Sequence, residues 1–374
     1  MTTTTGTDEA SQPAPDQAPS AAEQVCYRVF TSGLGTAELI NVYLGEVLGL
    51  YRALSEGGPR TSSQLAEQMH LDERYLREWL QGQAVAGYLT ADGSDPARAQ
   101  WALADGVTEA LVDETSPFYS GALAATAPVV GQVAPQLVEA FRTGRGVPYS
   151  AYGSEAVAVQ AGLNRPSYVN FLAAEWIPAI PGVEQRLRDD TRPARVADLG
   201  CGVGWSAIEL AKAFPAIRVD GYDNDEASIA RARRNAAEHG VADRVDFEVH
   251  DIARPLEKSG YDLVSFFECV HDLPHPADAL RTARQAIAAD GTVLVMDERT
   301  AEEFIAPGDE VERFFAAFSP LWCLPQGRVE PDSEAPGTLM RPSMLRDFAQ
   351  QAGYADVEVL PIQNTFWRFY RLNS

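Results

Sequence analysis

Residues Asp198-Leu199-Gly200-Cys201-Gly202-Val203-Gly204 follow directly on the apolar pair Val196-Ala197, and a second apolar run, Val219 to Asp223, ends on an acid. A chain that leaves an apolar strand through three alternating glycines is committed to a tight strand, loop and helix. Residues without a Cβ accept that backbone and leave room for another molecule against it. The acid closing the second strand then lies beside the loop, where a carboxylate can accept hydrogen bonds from both hydroxyls of a ribose. The combination predicts an α/β unit that holds a nucleoside.

Spacing narrows the choice of nucleoside. A dinucleotide fingerprint needs its third glycine three positions after the second, and that position is Trp205. An indole there opposes close packing of helix on strand and the approach of a pyrophosphate. An NAD-dependent oxidoreductase would share the sheet and Asp223 but should show the wider spacing. Three further pieces follow in order. Gly221-Tyr222-Asp223-Asn224-Asp225 closes the second strand, with Asn224 or Asp225 placed to cap a helix from Glu226. Val245 to Ile252 alternates as a strand and ends by offering Asp251 to an adenine amino group and Ile252 to the ring face. Tyr261 to Glu268 forms a further strand.

The D-x-G-x-G-x-G loop, with these elements behind it, resembles motif I and its successors in the class I S-adenosylmethionine-dependent methyltransferases. The resemblance implies a doubly wound, Rossmann-like α/β sheet with S-adenosylmethionine at the carboxyl ends of its strands. Asp198, Gly200, Gly202 and Gly204 would meet the cofactor from the loop. Asp223, Asn224, Asp251 and Ile252 would hold its ribose and adenine, and Phe267 and Glu268 would lie beside its methionine part. Thr292 to Asp297 reads as the fifth strand, and Val357 to Leu360 with Phe366 to Arg371 as a terminal antiparallel pair.

The chemical centre is expected where the fourth strand ends, at Glu268-Cys269-Val270-His271-Asp272-Leu273-Pro274-His275. A hydroxyl is a weak nucleophile until its proton leaves, and an imidazole is suited to take that proton near neutral pH. His271 corresponds to the histidine of the His-Asp pair in small-molecule O-methyltransferases, with Asp272 orienting the ring, although Leu273 stands where Trp is usual. Alternatively His271 caps the helix starting near Ala277. Glu268 is a competing base or a partner for the cofactor's ammonium group. Tyr149, Tyr152, Glu175 and Trp176 would roof an acceptor pocket or pack as helix core. Arg299 would pair with an acidic substrate or sit in a surface salt bridge. The segment Phe314 to Arg341, with Trp322 and Met340, would wall the pocket and suit an apolar acceptor.

At 374 residues and 45% hydrophobic composition the chain exceeds one ordinary core. Residues 1–24, rich in Thr, Ala, Pro and acids, read as a disordered tail without the basic start and apolar segment of a secretion signal. Residues 25–116 read as a winged helix, 117–190 as a helical bridge, and 191–374 as the cofactor domain. The winged helix resembles the dimerisation domain of small-molecule methyltransferases, whose long apolar helix, here Ala37 to Leu54, would pack on a second subunit in a homodimer. A nucleic-acid partner is not expected at a net charge of -23, and Arg74 and Arg77 are offset by Asp72, Glu73 and Glu78. Cys26, Cys201, Cys269 and Cys323 show no paired spacing, so neither a metal site nor a disulfide framework is expected. No stretch reads as membrane-spanning, and a cytoplasmic location is expected. The expected activity is methyl transfer to a small, largely apolar acceptor, on oxygen, in secondary metabolism. Transfer to carbon on an isoprenoid or polyketide, transfer to nitrogen, and a non-enzymatic ligand-sensing regulator are the alternatives.

Overall fold

The structure is a computed structural model and describes residues 18–373. Of the expected tail, residues 1–17 lie outside the described residues, and the remainder corrects the expectation. Ser20 caps a helix, Ala21–Val47: its hydroxyl accepts from the Glu23 amide, and the Glu23 carboxylate accepts from the Ser20 amide. This reciprocal box satisfies two of the helix's free donors and is a sufficient start signal within a stretch whose composition reads as a tail. The long helix expected from Ala37 to Leu54 is instead two. Gly49, at φ 68°, ends the first and turns the chain into Leu50–Gly57.

The winged-helix region follows its sequence signals closely. Thr61 and Gln64 form a second capping box on helix Ser62–Met69, and Asp72 caps helix Glu73–Val85. Strands β1 (Leu89–Asp92) and β2 (Gln100–Leu103) then pair antiparallel as the wing. Leu65, Leu76, Leu80 and Trp101 bury a core separate from that of the cofactor domain. Arg74 and Arg77 are paired with Glu78 and Glu73 along one helix face.

The bridge is helical and corrects two expectations. Gly121–Thr143, 23 residues, is long and apolar enough to cross a membrane by length and composition, because its breaks are Gly and Pro and its charges lie at one end. Here Val129, Val133 and Leu137 of this segment pack in one cluster with Tyr152 and Trp322. Farther on, helix Ser154–Ser167 runs into a widened, π-helical stretch, Tyr168–Trp176, where the Ile177 amide reaches back to the Leu172 carbonyl at 2.9 Å. Pro166, lacking an N–H, sits just before the widening. The altered turn carries Trp176 inward, 1% exposed, against Trp367 and Phe369.

The cofactor domain is built on strands β3 (Arg195–Leu199), β4 (Arg218–Asp223), β5 (Val245–Val249), β6 (Tyr261–Phe267), β7 (Ile287–Glu298), β8 (Asp356–Val359) and β9 (Trp367–Asn373). Their order is β5-β4-β3-β6-β7-β9-β8, parallel from β5 to β7, with β9 antiparallel to β7 and to β8. The near-continuous burial of β3, β6 and β7 is what helices on both faces demand. Strand order reverses between β3 and β6. In such sheets the crevice opens there, at the carboxyl ends, which is where the glycine loop leaves β3.

Candidate active site

The loop takes its shape from three left-handed residues, Gly200 at φ 76°, Gly202 at 51° and Gly204 at 84°. The Gly200 and Cys201 amides both donate to the Tyr222 carbonyl, at 2.8 and 3.0 Å, tying the loop to β4. Gly204 is where helix Trp205–Ala213 packs closest, since a Cβ there would overlap the Phe247 ring. Gly202 faces open space. Trp205 is buried at the cavity border, with the Arg165 guanidinium 4.1 Å over its ring.

Asp223 accepts from the Gly202 amide at 2.9 Å through one oxygen and from the Asp225 amide at 2.9 Å through the other. Burial raises its carboxyl despite these donors. Asp225, not Asn224, caps helix Glu226–Glu238. Asp198 corrects the expectation of a cofactor contact: it is 1% exposed, accepts from the Ser206 hydroxyl at 2.5 Å and the Ser265 hydroxyl at 3.1 Å, and does not border the cavity. Burial holds its carboxyl at about 6. Its role is to fasten β3 to the following helix and to β6.

A cavity of about 560 Å³ joins this loop to the tip of β6. Gly200, Gly202, Asp223, Asn224, Asp251 and Ile252 line one end. Phe267, Glu268 and Asp272, with Trp322 from outside the sheet, line the other, and Tyr149 stands between, in the field of Asp223, Asp225 and Asp272. Glu268 ends β6 at φ 58°, a conformation a non-glycine residue adopts at a cost. Burial pushes its carboxyl up to about 7, His271 offsetting part of the rise, and Oε2 is buried without a hydrogen-bond partner.

His271 lies behind the cavity wall and not on it. It is 2% exposed, with Nδ1 2.7 Å from Asp297 Oδ1 and 2.9 Å from Glu298 Oε2, and Nε2 3.3 Å from Asp272 Oδ1. Burial alone would depress the imidazole, but Asp272, Glu298 and Asp297 hold it well above its ordinary value. A ring enclosed by three carboxylates and held off the cavity is not a ready base, which corrects the expectation placed on it. Nor does it cap the next helix, Pro276–Ala286, whose N-cap is His275.

The remaining expected acceptor residues divide. Tyr149 and Trp322 border the cavity. Tyr152 is fully buried, its hydroxyl donating to the Leu321 carbonyl at 2.9 Å, and Trp176 is core. Glu175 and Arg299 are exposed and off the cavity, Arg299 donating to the Thr365 carbonyl. Met340 is packed behind β7. They were expected there from their place in the chain, just before the cofactor domain or just after its fifth strand, which does not foresee the widened turn at Tyr168 or the path of the segment after β7. Sequence reasoning missed Asn164, which borders the cavity and hydrogen-bonds Glu268, although it lies in the bridge's Asn164-Arg165-Pro166. It also missed Asp297 and Glu298, two acids closing the apolar run of β7, and the meeting of Cys323 with His271.

Comparison with known proteins agrees with this geometry. Residues 190–332 match the family model of a methyltransferase domain, and residues 37–111 match an Rv2258c-like winged HTH domain. The chain is 36% identical over 108 residues to a ubiquinone biosynthesis O-methyltransferase of Neisseria meningitidis, a match covering 28% of this chain and 44% of that protein. It is 31% identical over 172 residues to a trans-aconitate 2-methyltransferase of Variovorax paradoxus, covering 42% and 61%. The chain thus spans less than two thirds of the length of these curated relatives. The fold is shared over nearly the whole chain with mitomycin 7-O-methyltransferase, at TM-score 0.68, 22% identity and coverage of 94% of this chain and 99% of that one. It is shared likewise with human N-acetylserotonin methyltransferase, at TM-score 0.70, 16% identity and coverage of 95% and 99%. The chain thus carries a methyltransferase domain over residues 190–332 and a winged-helix domain over residues 37–111, in a fold shared with these methyltransferases.

Proposed function

We propose that the chain methylates an oxygen on a small, largely apolar acceptor of secondary metabolism, working in the cytoplasm as a homodimer. One observation carries this reading: a single cavity runs from the glycine loop and Asp223 to Glu268, whose Oε2 is buried without a partner. The cofactor end fits S-adenosylmethionine, because Gly202 presents backbone to open space and Asp223, Asp251 and Ile252 border it. The cofactor supplies a methyl group on a positively charged sulfur. Asp223 would hold the ribose hydroxyls, Asp251 the adenine amino group and Ile252 the ring face.

Glu268 would accept the acceptor's hydroxyl proton as the methyl group arrives. Near neutral pH its carboxyl is partly ionised, the condition a general base requires. Tyr149 and Trp322 would press the acceptor into line, and positioning can supply several kcal/mol of the barrier reduction. The lining carries Asp223, Asp225, Asp251, Glu268, Asp272 and Glu330 and, among the described residues, no Lys or Arg. That field suits a cationic cofactor and opposes an anionic acceptor, so a neutral acceptor is favoured. It favours a basic amine as well, which makes transfer to nitrogen the second reading.

Support for the dimer is the exposed apolar side of helix Ala21–Val47, with Tyr27, Val29, Phe30, Leu34 and Val47 at 48–71% exposure. The four unpaired cysteines suit a reducing compartment. Calorimetry with S-adenosylhomocysteine tests the cofactor half, and absence of binding heat overturns it. Incubation with labelled S-adenosylmethionine and a panel of phenols, amines and carboxylic acids tests the rest. Label on phenols is expected; label on amines alone selects the second reading, and label on carboxylic acids contradicts the field argument.

A further inference from the structure

The structure assigns Arg165 a positioning role at the cofactor site: anchored by the winged-helix region through Glu114, it holds the Trp205 indole in the cavity wall beside the glycine loop. This role rests on the cofactor half of the proposed function. Arg165 itself does not border the cavity, but its guanidinium lies 4.1 Å over the Trp205 ring, which does. A guanidinium at that distance from an indole face is attracted by it, the more so where water is excluded. Trp205 is 8% exposed, and the His239 ring packs on it edge-to-face at 5.1 Å. The indole is thus held from two sides, by the bridge and by the end of helix Glu226–Glu238.

Arg165 is aimed by contacts from the winged-helix region. Its Nη1 lies 3.2 Å from Glu114 Oε2, and Arg52 Nη2 lies 3.5 Å from the other oxygen. Glu114 follows helix Val107–Leu111, whose Val107 and Leu111 bury in the winged-helix core, and stands in a turn where the Asp113 carboxylate accepts from the Thr115 amide and hydroxyl. The Thr115 carbonyl in turn accepts from Asn170 Nδ2 at 2.7 Å, and the same side-chain amide reaches the Pro166 carbonyl at 2.7 Å. Glu114 and Thr115 therefore grip the chain on both sides of Pro166, where the helix widens. The gripped stretch also delivers Asn164 and Tyr168 to the cavity. On the far side Asn235 Nδ2 donates to the Val203 carbonyl at 2.9 Å, tying the loop that runs into Trp205 to the helix that ends at His239. An ordinary surface ion pair contributes little. Here the Arg165 side chain is only 20% exposed and its Nε is buried without a hydrogen-bond partner, so Glu114 and the indole are what fix the guanidinium.

The test is calorimetry of S-adenosylhomocysteine with the full chain and its variants, with denaturant unfolding of the same samples. Arg165→Met keeps the bulk of the stem and removes the charge, and should weaken binding about fivefold or more. Arg165→Lys should restore part of the loss, because an ammonium keeps its attraction to the indole but has no planar fork to face the ring and Glu114 together. Glu114→Gln should weaken binding about two- to threefold, and the double variant should bind no more weakly than Arg165→Met, since Glu114 acts through Arg165. A lowered unfolding midpoint in Arg165→Met with affinity within about 1.5-fold of the parent reduces Arg165 to a structural residue and overturns the role. Additive losses in the double variant overturn it as well. Glu114 is half exposed, so Glu114→Gln decides alone if Arg165→Met does not fold, and affinity equal to the parent's then overturns the role. Absence of heat with the parent chain instead removes the cofactor reading itself, and this role with it.

Discussion

The two ends of the cavity differ in how their polar atoms are paired. At the cofactor end both oxygens of Asp223 accept backbone amides, and both oxygens of Asp198 accept serine hydroxyls. At the acceptor end Glu268 Oε2, Asp272 Oδ1 and Gln326 Nε2 are buried without partners. Buried polar atoms are nearly always paired, and each orphan costs about 1–3 kcal/mol. The cofactor end is thus complete before anything binds and acts as a rigid template. The acceptor end keeps its polar groups for what is to arrive.

If that contrast holds, breaking the template should do the greatest damage. Gly204→Val adds a left-handed residue and a collision with Phe247, and should cost about 3 kcal/mol or more in denaturant unfolding while abolishing cofactor binding. An unchanged unfolding midpoint would show that the loop is looser than its geometry indicates.

Glu268→Gln probes the unpaired end through pH. The carboxyl ionises near 4.5 in an unfolded chain and near 7 in the fold. Its favourable contribution is therefore full below about pH 4.5 and is lost as pH climbs through 7, because the unfolded state releases the proton first. The glutamine variant should gain on the parent across that window, by about 2 kcal/mol at pH 8 and by little at pH 5, since His271 shares part of the charge. Equal thermal midpoints at both pH values would remove Glu268 from the list of strained groups.

Asp223→Ala should weaken S-adenosylhomocysteine by about 1.5–3 kcal/mol, roughly ten- to a hundredfold, by calorimetry. A change below threefold would contradict its place at the ribose. The smallest effect sharpens the boundary between the ends. Leu273→Trp fills acceptor space and should raise KM for bulky acceptors while leaving S-adenosylhomocysteine affinity within about twofold, under roughly 0.5 kcal/mol. A large loss of cofactor affinity would mean that the ends are not separable.

The same contrast governs what could be read in advance. Gly200 to Gly204, Asp223, Asp251 and Ile252 each sit at the end of one strand, so alternation and spacing locate them. The winged helix was equally legible from its caps, Thr61 with Gln64 and Asp72. His271 shows the limit, for its position after β6 was foreseen but its burial behind Asp272 and against β7 depends on how two strands lie side by side. Of the two readings open for Trp176 the structure takes the core one, and Glu175 is exposed and off the cavity, a choice made by the widened turn after Pro166. Asp198 was assigned to the cofactor because its motif position says nothing of Ser206 and Ser265, which take up its charge.

By itself the sequence determined the doubly wound sheet, the winged helix before it and the cofactor end, because strand period, glycine freedom and capping are properties of neighbours along the chain. The tertiary structure alone decided that Glu268 and Asp272 face the cavity, that His271 does not, and that Cys323 meets them. Glu268, His271 and Asp272 are near neighbours along the chain, but Cys323, Asp297 and Glu298 reach them from distant segments, and the pairing, burial and proton affinity of the group exist only once the helices and strands have packed.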